Sequence, residues 1–282
     1  MLLKENLSAD WNNKSIVFIH GIGRQPADYA TSLQDLLRKV DPDTADRSMW
    51  HSIAYDDVND AMAAKVIQFN GALEKEGANA LASLGTDFVV DLVNYLSAVD
   101  SYHWINTKVR EALVHVVQEG IKRGVHQNEH EVFIISHSLG TVVAYEALHA
   151  VITGAQVLGR SSGFRVQALF TLGSPLAFIK ANAEKIPSVN EDFFLREAPI
   201  ARPAIVNTFT KKPMSNVMAW FNLRQKFDPV ASLTPLTVAA SNGAVTEDRE
   251  FDALHTGANP HDFANYLTEY GTFIMETVRG EN

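Results

Sequence analysis

The chain contains no cysteine among its 282 residues. This absence excludes disulfide bonds, a thiolate nucleophile and cysteine-ligated zinc. Positive charge is also scarce, since 24 Lys and Arg stand against 33 Asp and Glu, a formal net charge of −9. Nucleic-acid binding needs clustered basic residues, so we expect no nucleic-acid partner. The same charge gives no electrostatic reason for docking on anionic lipid.

Long apolar runs are missing as well, and none approaches the length that spans a bilayer. The first residues, Met1 to Asn6, lack the basic segment and apolar core of a secretory signal. We therefore expect a cytoplasmic protein without stable membrane insertion. His126 and His130 have helical spacing but lie in a polar segment without a set of carboxylates. We expect no metal and no cofactor.

The most informative segment that is present runs from Ser136 to Gly140, with the sequence Ser-His-Ser-Leu-Gly, directly after the apolar run 132–135. A buried strand that ends in small-x-Ser-x-Gly and continues into a helix has the layout of a nucleophile elbow. Such a turn holds Ser138 in a strained backbone conformation that exposes its Oγ above the sheet. Strand and helix nearly touch there, so positions 136 and 140 must be small. Ser136 stands where glycine is usual.

Strand and helix patterns alternate along the chain, which predicts one domain over residues 1–282 with a mostly parallel sheet of about six strands, flanked by helices. Besides the elbow strand, the predicted strands are Ser15–His20, Met49–Ala54, Val166–Leu172, Val217–Leu223 and Val245–Phe251. The predicted helices include Pro26 to about Val40, Trp104 to about Arg123, the elbow helix from Thr141 and a terminal helix from Asp262 to Val278. Residues 57–98 have no strand signal and predict a helical insertion, and residues 175–203 form an irregular, proline-containing segment.

This order of elements, with His20-Gly21 after the first strand and Ser-x-Ser-x-Gly after the third, resembles the α/β-hydrolase superfamily. Within it the chain is similar to lipase- and esterase-type serine hydrolases over nearly its whole length, except the insertion. The resemblance implies that an acid and then a histidine follow the nucleophile, the acid after the strand beyond Leu172 and the histidine after the last strand. It also implies that residues 57–98 form a cap or lid, with packing on the sheet as the equal alternative, and that residues 175–203 form a second candidate cap segment.

The chemistry of a serine nucleophile sets the same requirement, because the hydroxyl needs an imidazole base that a carboxylate holds in one tautomer. Asp228 directly follows a predicted strand, and Pro229 stiffens its turn. His261 stands at the start of the terminal helix, which Asp262 can cap. We therefore predict Ser138, Asp228 and His261 as the catalytic residues.

Each choice has an alternative. An aspartate before proline is also a common turn residue, and Asp248 and Asp252 are rival acids that come late in the order of elements. His255 lies in the same loop as His261 and is the rival base. His137 is adjacent to the nucleophile, but we expect it to point away from the cleft and to be structural.

An oxyanion hole needs two backbone N–H groups aimed at the developing negative charge. We predict that Leu139, the residue after the nucleophile, supplies one and that Ile22, in the turn His20-Gly21-Ile22-Gly23, supplies the other. The alternative is that these glycines merely end a strand.

The expected function is hydrolysis of a small-molecule or lipid ester by a metal-independent serine hydrolase through an acyl-enzyme intermediate. The same machinery serves thioesterases and acyltransferases. A non-catalytic scaffold or binding protein that keeps the fold is the alternative from another class.

Overall fold

The β-branched and aromatic runs of the sequence form one parallel sheet of six strands in a computed structural model, which describes residues 12–21, 28–55, 99–126, 129–153, 165–177, 216–228, 230–231, 247–251 and 261–281. In chain order the strands are β1 (Lys14–Ile19), β2 (Met49–Ile53), β3 (Glu131–His137), β4 (Val166–Leu172), β5 (Val217–Gln225) and β6 (Glu247–Phe251). Their order across the sheet is β2-β1-β3-β4-β5-β6, and every neighbouring pair is parallel. The prediction of a mostly parallel sheet of about six strands is confirmed.

Helices in the described part of the chain follow the predicted pattern, with differences at their ends. They are α1 (Tyr29–Val40), α2 (Pro42–Arg47), α3 (Val99–Lys122), α4 (Leu139–Thr153) and α5 (Phe263–Arg279). The short α2 was not predicted. It begins with a proline, and the Asp41 carboxylate caps it by accepting from the Thr44 N–H at 3.0 Å, the local chemistry that starts a helix.

The two faces of the sheet build two separate hydrophobic cores, because successive strand residues point to opposite sides. In β1, Val17 and Ile19 join the core under α3 and α4. Ile16 and Phe18 join the core under α1 and α5. Burial on both faces explains why the central strands read as nearly continuous apolar runs.

Parallel strands place their carboxyl ends at one edge of the sheet, where open α/β folds carry their sites. The ends of β3, β4 and β5 bring Ser138, Gly173 and Asp228 to this edge, and His261 reaches it from just before α5. The predicted insertion at 57–98 lies outside the described residues, and so do residues 178–203 of the candidate cap segment at 175–203.

None of the helices that the structure describes is long and apolar enough to cross a membrane. Within the same residues, no three histidines and carboxylates come together in an arrangement that could hold a metal ion.

Candidate active site

Ser138 lies at the sharp turn between β3 and α4 with φ of 54°, and it is the only non-glycine with positive φ among the described residues. This conformation is strained for a serine and persists only where its surroundings hold it. Its N–H donates to the Leu172 carbonyl at 2.9 Å, and its carbonyl accepts from the Thr141 N–H at 3.0 Å. The strained elbow predicted from the sequence is therefore present.

The small residues two positions before and after Ser138 are accommodated for different reasons. A Cβ added to Gly140 would come within 2.7 Å of the Ile19 carbonyl oxygen, so the approach of α4 to the end of β1 requires glycine there. Ser136 is fully buried, and its hydroxyl donates to the Phe170 carbonyl on β4 at 3.0 Å. The usual glycine is thus replaced by a residue whose polar group has a partner.

Two buried hydroxyls support the elbow from the side. Thr141 Oγ1 donates to the Ser138 carbonyl at 2.7 Å and lies 2.8 Å from Ser174 Oγ, which in turn accepts from the Leu176 N–H at 3.3 Å. This chain of hydrogen bonds ties the first turn of α4 to the segment after β4.

The structure brings the three predicted side chains into one hydrogen-bonded chain. His261 Nε2 lies 2.8 Å from Ser138 Oγ, and His261 Nδ1 lies 2.8 Å from Asp228 Oδ2. The tautomer that satisfies both contacts has its hydrogen on Nδ1, so that Nε2 accepts from the serine hydroxyl. This arrangement can remove a proton from the serine.

The Asp228 carboxylate is almost fully buried and is held through both oxygens. Oδ1 accepts from the N–H groups of Val230 and Ala231 at 2.8 and 3.2 Å. Oδ2 accepts from the Tyr266 hydroxyl at 2.6 Å, besides its contact with His261. Buried charge is tolerated only with such hydrogen bonds. Sequence reasoning missed Tyr266, and its position near the start of the helix that follows His261 was the one available signal.

His137 packs beside this chain. Its ring stacks on Phe263 at 4.8 Å between centroids, in keeping with a structural role, and it also contacts the His261 ring at 4.7 Å, a contact that was not predicted. Burial lowers the pKa of His137 well below its usual value, and the neighbouring His261 lowers it further. A neutral imidazole therefore lies against His261.

Gly173, directly after β4, faces the Asp228–His261 pair from the other side. Its φ is 58°, and a Cβ there would lie 2.9 Å from Asp228 Oδ2 and 3.1 Å from His261 Nδ1. Only glycine combines this backbone conformation with the space that the pair occupies.

Of the two predicted oxyanion donors, Leu139 and Ile22, the structure describes Leu139. Leu139 is the first residue of α4, where backbone N–H groups have no acceptor within the helix. Ile22 lies outside the described residues. The preceding Gly21 is close to the nucleophile, since a Cβ added to it would lie 3.1 Å from Ser138 Oγ.

A tyrosine anchors His20 and Gly21, the two described residues that follow β1. The Tyr55 hydroxyl donates to the His20 carbonyl at 2.5 Å, and the two rings stack at 4.5 Å. His20 Nδ1 in turn lies 2.5 Å from the Gly21 carbonyl oxygen. The end of β1 is therefore held firmly beside Ser138.

Of the rival residues, the structure describes Asp248 alone. Its carboxylate lies in β6, where it accepts from Arg224 Nε at 2.6 Å and from Asn222 Nδ2 at 2.9 Å. Asp252 and His255 lie outside the described residues.

The fold is identified by which strand or helix each of the three residues follows or precedes. Ser138 follows the central strand β3, Asp228 follows β5, and His261 precedes the last helix. The chain has the α/β-hydrolase fold. The resemblance drawn from the sequence is thereby supported by topology as well as by motif.

Solved structures similar to this α/β-hydrolase fold include several esterases. A hyperthermophilic esterase from the archaeon Pyrobaculum calidifontis is 11% identical with a TM-score of 0.49, over 96% of this chain and 75% of that one. An esterase of the bacterial hormone-sensitive lipase family is 14% identical with a TM-score of 0.44, over 96% and 77% of the two chains. Est1E from Butyrivibrio proteoclasticus is 10% identical with a TM-score of 0.40, over 96% and 90%. No family model and no curated protein sequence matches the chain.

Proposed function

We propose that the protein is a serine hydrolase that cleaves a carboxylic ester through an acyl-enzyme intermediate. The observation that carries this proposal is the chain of contacts from Ser138 Oγ to His261 Nε2 and from His261 Nδ1 to Asp228 Oδ2, each 2.8 Å long. The strained backbone of Ser138, which holds the hydroxyl toward the imidazole, supports it independently.

In the acylation half, Ser138 Oγ attacks the ester carbonyl carbon while its proton moves to His261 Nε2. The carbonyl oxygen becomes an oxyanion, and Asp228 stabilises the imidazolium through its contact with Nδ1. His261 then gives the proton to the leaving alkoxide as the carbon–oxygen bond breaks. The products of this half are an alcohol and an ester between the acyl group and Ser138.

In the second half, a water molecule gives a proton to His261 Nε2 and attacks the acyl carbon. Collapse of the second tetrahedral intermediate releases the carboxylic acid, and Ser138 recovers its proton from His261. In this proposal the N–H groups of Leu139 and Ile22 bind the oxyanion in both halves, a contribution of about 3 kcal/mol for each donor.

The proposed substrate is a small-molecule or lipid ester, bound without a cofactor. In the same proposal the chain is one domain, residues 57–98 and 175–203 border the acyl-binding side of the site, and the protein is cytoplasmic. The acidic net charge of −9 supports the expectation that nucleic acid is not a partner.

The first test is covalent labelling with a fluorophosphonate probe, which phosphonylates an activated serine. The wild-type protein is expected to label, and Ser138→Ala is expected to lose labelling completely. Asp228→Asn is expected to slow labelling by roughly 10⁴-fold, the loss typical when this carboxylate is neutralised in serine proteases. A folded wild-type protein that does not label would favour the non-catalytic scaffold.

His261 and its rival are compared in the same assay. His261→Ala is expected to reduce the labelling rate by several orders of magnitude, whereas His255→Ala is expected to retain most of it. The reverse result would transfer the role of base to His255. A series of p-nitrophenyl esters with increasing acyl length then identifies the preferred substrate, and matching thioesters or added alcohol acceptors reveal thioesterase or acyltransferase activity.

A further inference from the structure

Tyr266 is the fourth residue of α5, and its ring is almost fully buried beneath the site. Its hydroxyl hydrogen points to Asp228 Oδ2 at 2.6 Å. Its hydroxyl oxygen accepts from the backbone N–H of Gln225, the last residue of β5, at 3.1 Å. The Gln225 contact orients the hydroxyl, so its single hydrogen is available to the carboxylate.

The Tyr266 hydroxyl keeps its proton at neutral pH. Burial raises the pKa of Tyr266 well above its usual value, and the negative charge of Asp228 raises it further. Tyr266 is therefore a neutral hydrogen-bond donor to a buried carboxylate, a type of bond that is short and strong.

Tyr266 and His261 share the same carboxylate oxygen. Oδ2 accepts from the Tyr266 hydroxyl and the His261 ring, while Oδ1 accepts from two backbone N–H groups. The four donors hold the carboxylate in one orientation. The Tyr266 hydroxyl stabilises the negative charge on Oδ2. The same oxygen then stabilises a positive charge on the His261 ring less strongly.

We propose that Tyr266 is a positioning residue of the active site, which orients Asp228 toward His261 and sets the pH range in which His261 can accept the serine proton. This inference rests on the proposed function of Ser138, His261 and Asp228. It extends that function to a fourth side chain, which acts through Asp228 and does not contact the reacting atoms.

In the described part of the chain, titratable groups near the pair come from β1, β3 and α5. From β3, His137 contacts His261 and burial disfavours its charged form. His20, at the end of β1, acts electrostatically on His137. On α5, the Tyr270 ring stacks on Tyr266 at 6.3 Å.

Among the described residues, further charges are Asp262, directly after His261 at the start of α5, and those at the β5–β6 edge. There Arg224 binds Asp248 and Glu250 at 2.6 and 2.7 Å, so both signs of charge are present. The substitution that removes the Tyr266 hydroxyl leaves all of these groups in place.

The test measures the second-order rate of fluorophosphonate labelling as a function of pH for the wild type and Tyr266→Phe. Loss of the hydroxyl leaves more negative charge for the imidazolium, so neutral His261 becomes available only at higher pH. We expect the pH of half-maximal labelling to move upward by roughly half a unit. A purely structural role would lower the maximal rate without moving this midpoint.

Tyr270→Phe is the matched control, since Tyr270 lies one turn further along the same helix. Its hydroxyl donates to the Arg224 carbonyl at 2.7 Å. Removing it costs a buried hydrogen bond to a neutral carbonyl and leaves the contacts of Asp228 in place. Its labelling midpoint is expected to equal that of the wild type, and a shift as large as that of Tyr266→Phe would overturn the proposal.

A second variant keeps the proposal testable if Tyr266→Phe does not fold. Replacement of Tyr266 by 3-fluorotyrosine makes the hydroxyl a stronger donor with little change in size, and the midpoint is expected to move downward. An unchanged midpoint in the folded variants overturns the role of Tyr266 while leaving the proposed function intact. Absence of labelling in the wild type overturns the proposed function instead.

Discussion

At the scale of single residues, Gly173 shows how little room surrounds the hydrogen-bonded pair. Its Cα faces the contact between Asp228 Oδ2 and His261 Nδ1, and its φ of 58° lies in the left-handed region. A side chain at this position would meet both a steric and a conformational penalty. The close approach of β4 to the pair therefore depends on one glycine.

Gly173→Ala is expected to reduce the labelling rate by about 100-fold, because a misplacement of about 1 Å at a catalytic group has effects of this size. The added methyl group would lie 2.9 Å from Asp228 Oδ2 and would push the carboxylate or the imidazole aside. The measurement is the fluorophosphonate labelling rate, together with the free energy of unfolding from urea titration.

Gly124→Ala provides the matched control for this substitution. Gly124 has φ of 86°, but a Cβ added there meets no atom within 4 Å. The variant should lose about 1 kcal/mol of stability from backbone strain and keep its labelling rate. Equal loss of labelling in both variants would show that strain, and not contact with the pair, limits activity.

At the scale of secondary-structure elements, α5 organises much of the site. Asp262 caps the helix by accepting from the Ala264 N–H at 2.8 Å, His261 directly precedes this cap, and Tyr266 and Tyr270 follow on the buried face. The same helix packs Phe263 on the His137 ring. The histidine is thus placed by the first turn of a helix whose buried face packs on the sheet.

Asp262→Ala is expected to lower the free energy of unfolding by about 1 kcal/mol through loss of the N-cap. It should also slow labelling several-fold, because fraying of the first turn releases the backbone next to His261. Urea unfolding and labelling rates measure the two effects. Asp262→Asn, which can still cap, should restore both; normal labelling in the alanine variant would show that the cap does not position His261.

The residues of the edge strand β6 are mostly charged. Arg224 on β5 is nearly buried between the Asp248 and Glu250 carboxylates of β6. The guanidinium of Arg249 lies 3.7 Å from the centroid of the Phe273 ring on α5. Charged side chains of this kind are typical of edge strands, where they oppose pairing with other chains.

At the scale of the whole molecule, buried histidines couple stability to pH. Burial lowers the pKa of His51 to about 4, and burial also lowers the pKa of His130 and, strongly, that of His137. His51 lies on β2 and His130 just before β3, away from the edge of the sheet that carries Ser138. The folded protein keeps these rings neutral at a pH where the unfolded chain protonates them.

The stability that these histidines supply is present above pH 6.5 and is lost as the pH falls from 6.5 toward 4, because the unfolded state binds more protons in that range. For His51 the loss between about pH 7 and pH 5 should be roughly 2 kcal/mol. Urea unfolding of the wild type and His51→Gln at the two pH values measures it. The variant should lose less stability on acidification than the wild type, and identical losses would contradict this assignment.

Much of the fold was predictable because local patterns and tertiary packing agree. The apolar run before Ser136 is a central strand, and the small residues at 136 and 140 reflect a contact that every such turn must make. The short helix α2 was missed because its six residues carry no apolar periodicity, although Asp41 and Pro42 supply a cap and a first turn. The end of α3 was predicted well, but its start at Val99 was not.

Candidate residues for the nucleophile, acid and base could be chosen from the elbow motif and from the order of elements that the α/β-hydrolase resemblance implies, since each follows or precedes an element that the sequence marks clearly. The contacts of Tyr266, Gly173 and His137 could not be derived in this way. An ordinary helical tyrosine, a glycine after a strand and a buried histidine carry no local signal of what they touch. Their partners are distant in the chain, and only the meeting of β3, β4, β5 and α5 at one edge of the sheet brings them together.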